Sequence, residues 1–270
     1  MGYRAASKPF KRKRPPTELV RQMGMFTAYF DASGKSTRQG LLSIAGFVSD
    51  AKKWARFDAE WTKVLRRESV SCFHMTDFVS SQREFSGWNN QPGRRKAFIA
   101  DLLACAKKYT NKAFGGAVVL ADYASVNERY AIQEAAGYPY PLCAHYCVRL
   151  VLQWQKKHGI SNVRFAFEAG DEHPGDLTRL CKSDGVEPFF LTKKEIPFQA
   201  ADLVAWRTRD CFEKALRPSL TIELAGRLHR SFSEVWKSPH QAFYGDKRRL
   251  ERFCREEGIP GRVRTRIGVN

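Results

Sequence analysis

Apolar positions along the chain recur with two different periods, and the switch between them predicts the elements. Phe26 to Asp31 and Leu41 to Val48 are short apolar runs separated by a turn that includes Gly34-Lys35, which predicts a β-hairpin. Asp50 then stands as an N-cap before an amphipathic helix reaching about Arg67, with Trp54, Phe57, Trp61, Val64 and Leu65 at helical spacing. Further runs predict a short strand at 72–78, a loop over 80–92 and a helix from about Arg94 to Tyr109. A strand at 113–120 and helices over 123–137 and 141–157 follow. The pattern then alternates: strand 163–168, helix 174–183, strand 186–191, and a helix over 197–216 with Pro197 in its first turn, where proline is tolerated. A hairpin first, then alternating helices and strands, predicts a mixed α/β sheet covered by helices.

Composition adds a partner. The chain has 270 residues, 46 Lys and Arg against 28 Asp and Glu, and a net charge of +18. Such an imbalance favours nucleic acid over an anionic membrane surface. Length and hydrophobic content suit one core over 25–216. Residues 1–24, with Lys8-Pro9-Phe10-Lys11-Arg12-Lys13-Arg14, read as an unfolded basic arm, either a phosphate-steering or import segment or a solubilising tail. Residues 217–270 read as a helical basic extension, in which Lys247, Arg248 and Arg249 open a segment suited to phosphate contact. The seven cysteines are odd in number, lack a Cys-x-x-Cys pair and sit mostly in apolar patterns, as expected of reduced cysteine in a cytoplasmic protein. No apolar run approaches the length of a membrane span, and the N-terminal residues lack a signal-peptide stretch.

Three acids stand out against this background: Asp31 at the end of the first strand, Glu168 at the end of a later one, and Asp202 within Ala200-Ala201-Asp202-Leu203-Val204 on the last core helix. A carboxylate among apolar neighbours is costly unless paired, hydrogen-bonded or bound to a metal. Hydrolysing a phosphodiester needs an activated water and charge neutralisation at phosphorus, which two Mg²⁺ or Mn²⁺ ions held by oxygen ligands supply. Each acid also has a plainer reading: a turn aspartate, a strand-end glutamate paired with lysine, an ion-paired helical acid. Cys143, His145 and Cys147 do not make a zinc site, because on a helix position 145 is turned about 200° from 143.

These residues also carry a resemblance. Tyr29-Phe30-Asp31-Ala32-Ser33-Gly34, Phe73-His74-Met75-Thr76-Asp77, Phe167-Glu168 and Pro197-Phe198-Gln199-Ala200-Ala201-Asp202-Leu203 resemble the motifs of a large, mostly prokaryotic family of domains of unknown function with a ribonuclease H-like fold. The likeness spans roughly 25–210, and Gln-x-x-Asp-Leu is its most specific part. Relatives usually read Asp-Glu-Ser-Gly in the first motif, so Ala32 departs from the pattern while Asp31 keeps the expected ligand. The resemblance implies a ribonuclease H-like mixed sheet with Asp31, Glu168 and Asp202 as metal ligands. His74 is the first candidate for a fourth group, moving protons or positioning the leaving group; a half-buried structural histidine is the alternative. The acids of the 171–176 loop read as a solvated cluster, with contact to a second ion as the alternative.

Phe85 to Lys96 interleaves aromatic and basic residues, so it reads either as a flap that stacks a base on Trp88 while Arg94 and Arg95 hold phosphates, or as a packed surface loop. The function expected is therefore metal-dependent phosphodiester hydrolysis on DNA, RNA or a hybrid. A non-catalytic nucleic-acid-binding protein of a mobile-element or defence system is the alternative, and a protein-interaction module is a third class.

Overall fold

The computed structural model describes residues 25–34, 40–215 and 240–262; the basic arm at 1–24, Lys35 and most of the 217–270 segment lie outside them. Six strands form one sheet: β1 (Phe26–Ser33), β2 (Leu41–Asp50), β3 (Lys112–Val119), β4 (Val163–Glu168), β5 (Phe189–Leu191) and β6 (His240–Gly245), in the order β5-β4-β1-β2-β3-β6. β2 is antiparallel to both its neighbours, whereas β4 is parallel to β1, β5 to β4 and β6 to β3. Five strands therefore run one way, and their carboxyl ends share one edge.

Helices α1 (Ala51–Arg67), α2 (Met75–Ser80), α3 (Pro92–Tyr109) and α8 (Ile196–Ala215) cover one face of the sheet, over Ala45, Phe47 and Ala113. The other face, with Ala28, Phe30, Ile44, Phe114 and Phe167, is covered mainly by α6 (Pro139–Lys157), with α4 (Leu120–Asn127), α5 (Ile132–Ala136), α7 (Pro174–Ser183) and α9 (Lys247–Glu256) around it. α1 forms as expected: the Asp50 carboxylate accepts from Lys53 N at 2.9 Å, and Trp54, Phe57, Trp61 and Leu65 are its buried stripe. β2 is covered on both faces and reads as a nearly continuous run of apolar and small residues. Its buried Ser43 donates to Ala205 O at 2.7 Å, so the one polar group in mid-strand ties the sheet to α8.

Gly115 and Gly116 mark close packing, and the β2–β3 register runs unbroken through them. A Cβ on Gly116 would lie 3.0 Å from Cys143 Sγ on α6, and one on Gly115 would lie 3.1 Å from Ala45 Cβ. Cys143 and Cys147 share this buried face of α6, while His145 points to Asp184, Nε2 to Oδ2 2.7 Å.

Two expectations are corrected. Residues 72–78 hold no strand: Met75–Ser80 is a helix, because this segment lies over the aromatic cluster of Phe57, Trp61 and Phe98 and has no strand to pair with. The segment expected to be a helical extension contributes a strand as well as a helix. β6 adds to the edge of the sheet beside β3, and α9 buries Leu250 and Cys254 in the core.

Candidate active site

Strand periodicity aims the first two acids. In the β1–β4 ladder Phe30 lies opposite Phe167, and both are buried on the α6 side. One residue further along each strand, Asp31 and Glu168 therefore project to the opposite face, toward α8. Asp202 lies on α8 and lines the same cavity as the other two. The cavity, about 1120 Å³, opens at the carboxyl edge of the sheet, where the chain leaving β1 turns to β2 on one side and the chain leaving β4 passes through α7 to β5 on the other. Crevices at such switch points are where α/β sheets bind ligands.

Asp31 is 2% exposed. Its Oδ1 accepts from Ala32 N at 2.7 Å, and its buried Oδ2 has no hydrogen-bond donor. The ammonium of Lys193, two residues past the end of β5, lies 3.4 Å from that Oδ2 and donates to Glu168 Oε2 at 3.2 Å. Burial pushes the Asp31 carboxyl well above its ordinary range, the Asp202 and Glu168 charges add to this, and Lys193 opposes it. Burial works against the Lys193 ammonium, but Asp31, Asp202 and Glu168 outweigh it and hold its pKa above the ordinary lysine value.

Asp202 joins two of the quoted motifs. Its Oδ2 accepts from Met75 N at 3.0 Å and lies 3.3 Å from His74 Nδ1. One turn earlier on the same helix face, Gln199 Oε1 accepts from Phe73 N and from Trp61 Nε1, each at 3.0 Å. Gln-x-x-Asp thus clamps the Phe73-His74-Met75 segment and sets His74 at the cavity wall, as the residue before α2. Asp171, in the loop after β4, accepts from Tyr140 Oη at 2.7 Å; burial lifts its carboxyl to about 6. The loop is therefore partly drawn into the cavity wall.

The wall also holds residues whose chemistry the sequence did not reveal. Arg209, seven residues beyond Asp202 on α8, lines the cavity and pairs with Glu213. At the rim, the rings of Tyr138 and His173 stack in parallel, 3.7 Å between centroids, and Tyr138 is 38% exposed. His173 holds φ 56°, a left-handed conformation uncommon for a residue with a side chain. In the sequence Lys193 and Arg209 are only charged residues in basic surroundings. The signal available for Lys193 was its place just past a strand that ends at the carboxyl edge.

The proposed flap is corrected. Trp88 is 3% exposed within the Phe73–Phe78–Phe85–Phe98 cluster and cannot receive a base. The Arg94 guanidinium lies 3.8 Å over the Trp88 ring and bonds Glu68, and Arg95 bonds Phe78 O and Ser81 Oγ, so both arginines serve the fold. Lys247, Arg248 and Arg249 are exposed at the start of α9, which leaves β6 at the carboxyl edge.

The residues fit a hard divalent cation in kind. All donors are oxygens, and one buried oxygen lacks a hydrogen-bond donor. In the arrangement seen, the Lys193 ammonium stands between Asp31 and Glu168, and no three His, Cys, Asp or Glu side chains among the described residues close into a metal cage.

The raised Asp31 pKa has a measurable consequence. Folded protein holds the Asp31 proton to higher pH than unfolded chain does, so the stability tied to this group is full below the ordinary value of 3.8 and is lost as pH rises through the folded pKa. Asparagine does not titrate. The metal-free melting temperature of Asp31→Asn minus that of wild type is expected to grow from pH 4 to pH 8, and thermal melts in EDTA measure it. A constant difference would mean that Asp31 ionises without cost.

No protein-family model and no curated protein matches this chain. Among solved structures, a chain of the PCNA:RNase HII complex from Archaeoglobus fulgidus is 16% identical with a TM-score of 0.38, the alignment covering 91% of this chain and 96% of that one. A likeness at that level carries no argument about activity. Strand order and the two helical layers define the fold class by themselves: α/β, a mixed sheet flanked by helices, as expected.

Proposed function

We propose that this protein is a divalent-metal-dependent nuclease of the prokaryotic family whose motifs it resembles. One observation carries the reading: three acids from β1, β4 and α8 converge on one cavity at the carboxyl edge of the sheet, in a chain of net charge +18. Asp31, Glu168 and Asp202 would hold Mg²⁺ or Mn²⁺, which when bound supplies Lewis-acid charge neutralisation and a water activated for attack on phosphorus.

The chain's own groups supply the rest. A proton on His74 Nδ1 facing Asp202 leaves Nε2 to accept or deliver a proton in the cavity. Arg209 offers a fixed planar donor to a backbone phosphate. The Tyr138–His173 stack gives a flat aromatic surface at the rim for an unpaired base. Lys247, Arg248 and Arg249 extend the positive surface along the same edge for contacts that do not depend on base sequence.

The test is incubation of the full chain with single-stranded and duplex DNA and RNA in Mn²⁺, Mg²⁺ or EDTA. Cleavage is expected with either metal and none in EDTA. Tyr138→Ala should weaken single-strand binding by roughly 1–3 kcal/mol, with duplex binding less affected. Binding without metal-stimulated cleavage of any substrate would replace this reading with the non-catalytic one.

A further inference from the structure

The lysine between the carboxylates bears on how many ions the site takes. Three acids of this kind would suit a pair of divalent ions. Here an ammonium already stands against Asp31. Lys193 Nζ is 3.4 Å from Asp31 Oδ2 and 3.2 Å from Glu168 Oε2, and Asp31 Oδ2, buried and without a hydrogen-bond donor, faces no nearer cation among the described residues.

Lys193 is placed there by the fold. Its backbone follows β5, whose Leu191 O accepts from Ala169 N at 2.7 Å, just past Glu168. A turn closed by Glu195 N to Thr192 O and by Phe198 N to Glu195 O then leads into α8, which carries Asp202. The side chain is 29% exposed, so it lies along the cavity wall and does not trail into solvent. A lysine tethered between β5, which pairs with the Glu168 strand β4, and α8, which carries Asp202, is part of the cluster's architecture.

We propose that Lys193 fills one of the two cation positions of the carboxylate cluster, so that the protein binds a single divalent ion, on the Asp202 side. The proposal rests on the metal-dependent reading above. Its charge count is simple: three carboxylates and one ammonium leave two negative charges, which one divalent ion neutralises. An ammonium binds the Asp31–Glu168 pair without exchanging with solution, so that half of the site is formed before any metal arrives. It also provides no metal-bound water, which assigns activation of the nucleophile to the Asp202–His74 side of the cavity.

The test measures Mn²⁺ binding to the full chain by isothermal titration and by electron paramagnetic resonance of free Mn²⁺, for wild type, Lys193→Met and Lys193→Gln. Wild type is expected to bind one ion. The neutral variants are expected to gain a second, or to bind the first at least tenfold more tightly. Equal number and affinity in wild type and variants would overturn the proposal while leaving a metal-dependent nuclease intact. Absence of Mn²⁺ binding in all three would overturn both readings. Where a neutral variant folds only when Mn²⁺ is added, the metal is replacing the lost ammonium, as proposed. Should neither variant fold under any condition, the wild-type count decides: two ions would refute the assignment and one would uphold it.

Discussion

Asp202→Asn is expected to abolish metal-dependent cleavage while leaving the fold and nucleic-acid binding in place. The residue is 6% exposed, and its Oδ2 accepts from Met75 N at 3.0 Å. Asparagine has the same shape and retains a carbonyl oxygen for that bond, so the clamp on the Phe73-His74-Met75 segment survives. The negative charge that would bind a divalent ion, and that faces His74, is lost. Metal stabilisation of the developing phosphoryl charge is worth several kcal/mol, and each 1.36 kcal/mol is tenfold in rate, so a fall of roughly 10³ or more follows. Removing a negative charge from a cavity that receives a polyanion should leave affinity equal or higher. Rates in Mn²⁺ and fluorescence anisotropy of a labelled oligonucleotide separate the two effects. Asp31→Asn should behave in the same way, and full activity in either variant would remove the basis of the nuclease reading.

Gly46→Ala should cost more stability than any single change on the surface. Gly46 lies on β2 opposite Phe30 of β1, and a Cβ there would sit 1.8 Å from the Tyr29 carbonyl oxygen and 2.9 Å from Phe30 Cδ1. The first neighbour is backbone and cannot rotate away, so the two central strands would have to part beside Asp31. Central-strand disruption belongs with the exceptional losses, on the order of 4 kcal/mol or more. Urea unfolding measures it. A loss below about 1 kcal/mol would show that β1 can shift without disturbing its ladder. Because β1 carries Asp31, any folded Gly46→Ala protein should also lose cleavage.

The same two strands show how far local pattern reaches. Phe26 to Asp31 and Leu41 to Val48 are legible as a hairpin because burial of short apolar runs is a local property, and the structure lengthens them only to Ser33 and Asp50. The helix of 51–67 follows from its Asp50 cap and apolar stripe, and those of 139–157 and 174–183, which have proline in the first turn, from the spacing of their apolar residues. Residues 72–78 misled because Phe73 and Phe78 satisfy a strand pattern as readily as they satisfy one wall of an aromatic cluster. Trp88 misled for the opposite reason: among basic and polar residues it looks like a surface ring, and only packing against Phe78, Phe85 and Phe98 shows it to be core.

For the site, the sequence by itself determined which acids are out of place among apolar neighbours. Asp31, Glu168 and Asp202 do share one cavity. Sequence also determined that the surface favours polyanions, since charge is additive and needs no fold. What stands between the acids was decided by tertiary structure alone. Lys193 reaches Asp31 across 162 positions of sequence, and Gln199 reaches Phe73 across 126, because β5 runs parallel to β4 and α8 crosses the sheet over β1. Such pairings leave no periodic trace in the chain. A carboxylate announces its cost wherever it lies among apolar residues, whereas the cation that relieves that cost is chosen by strand order.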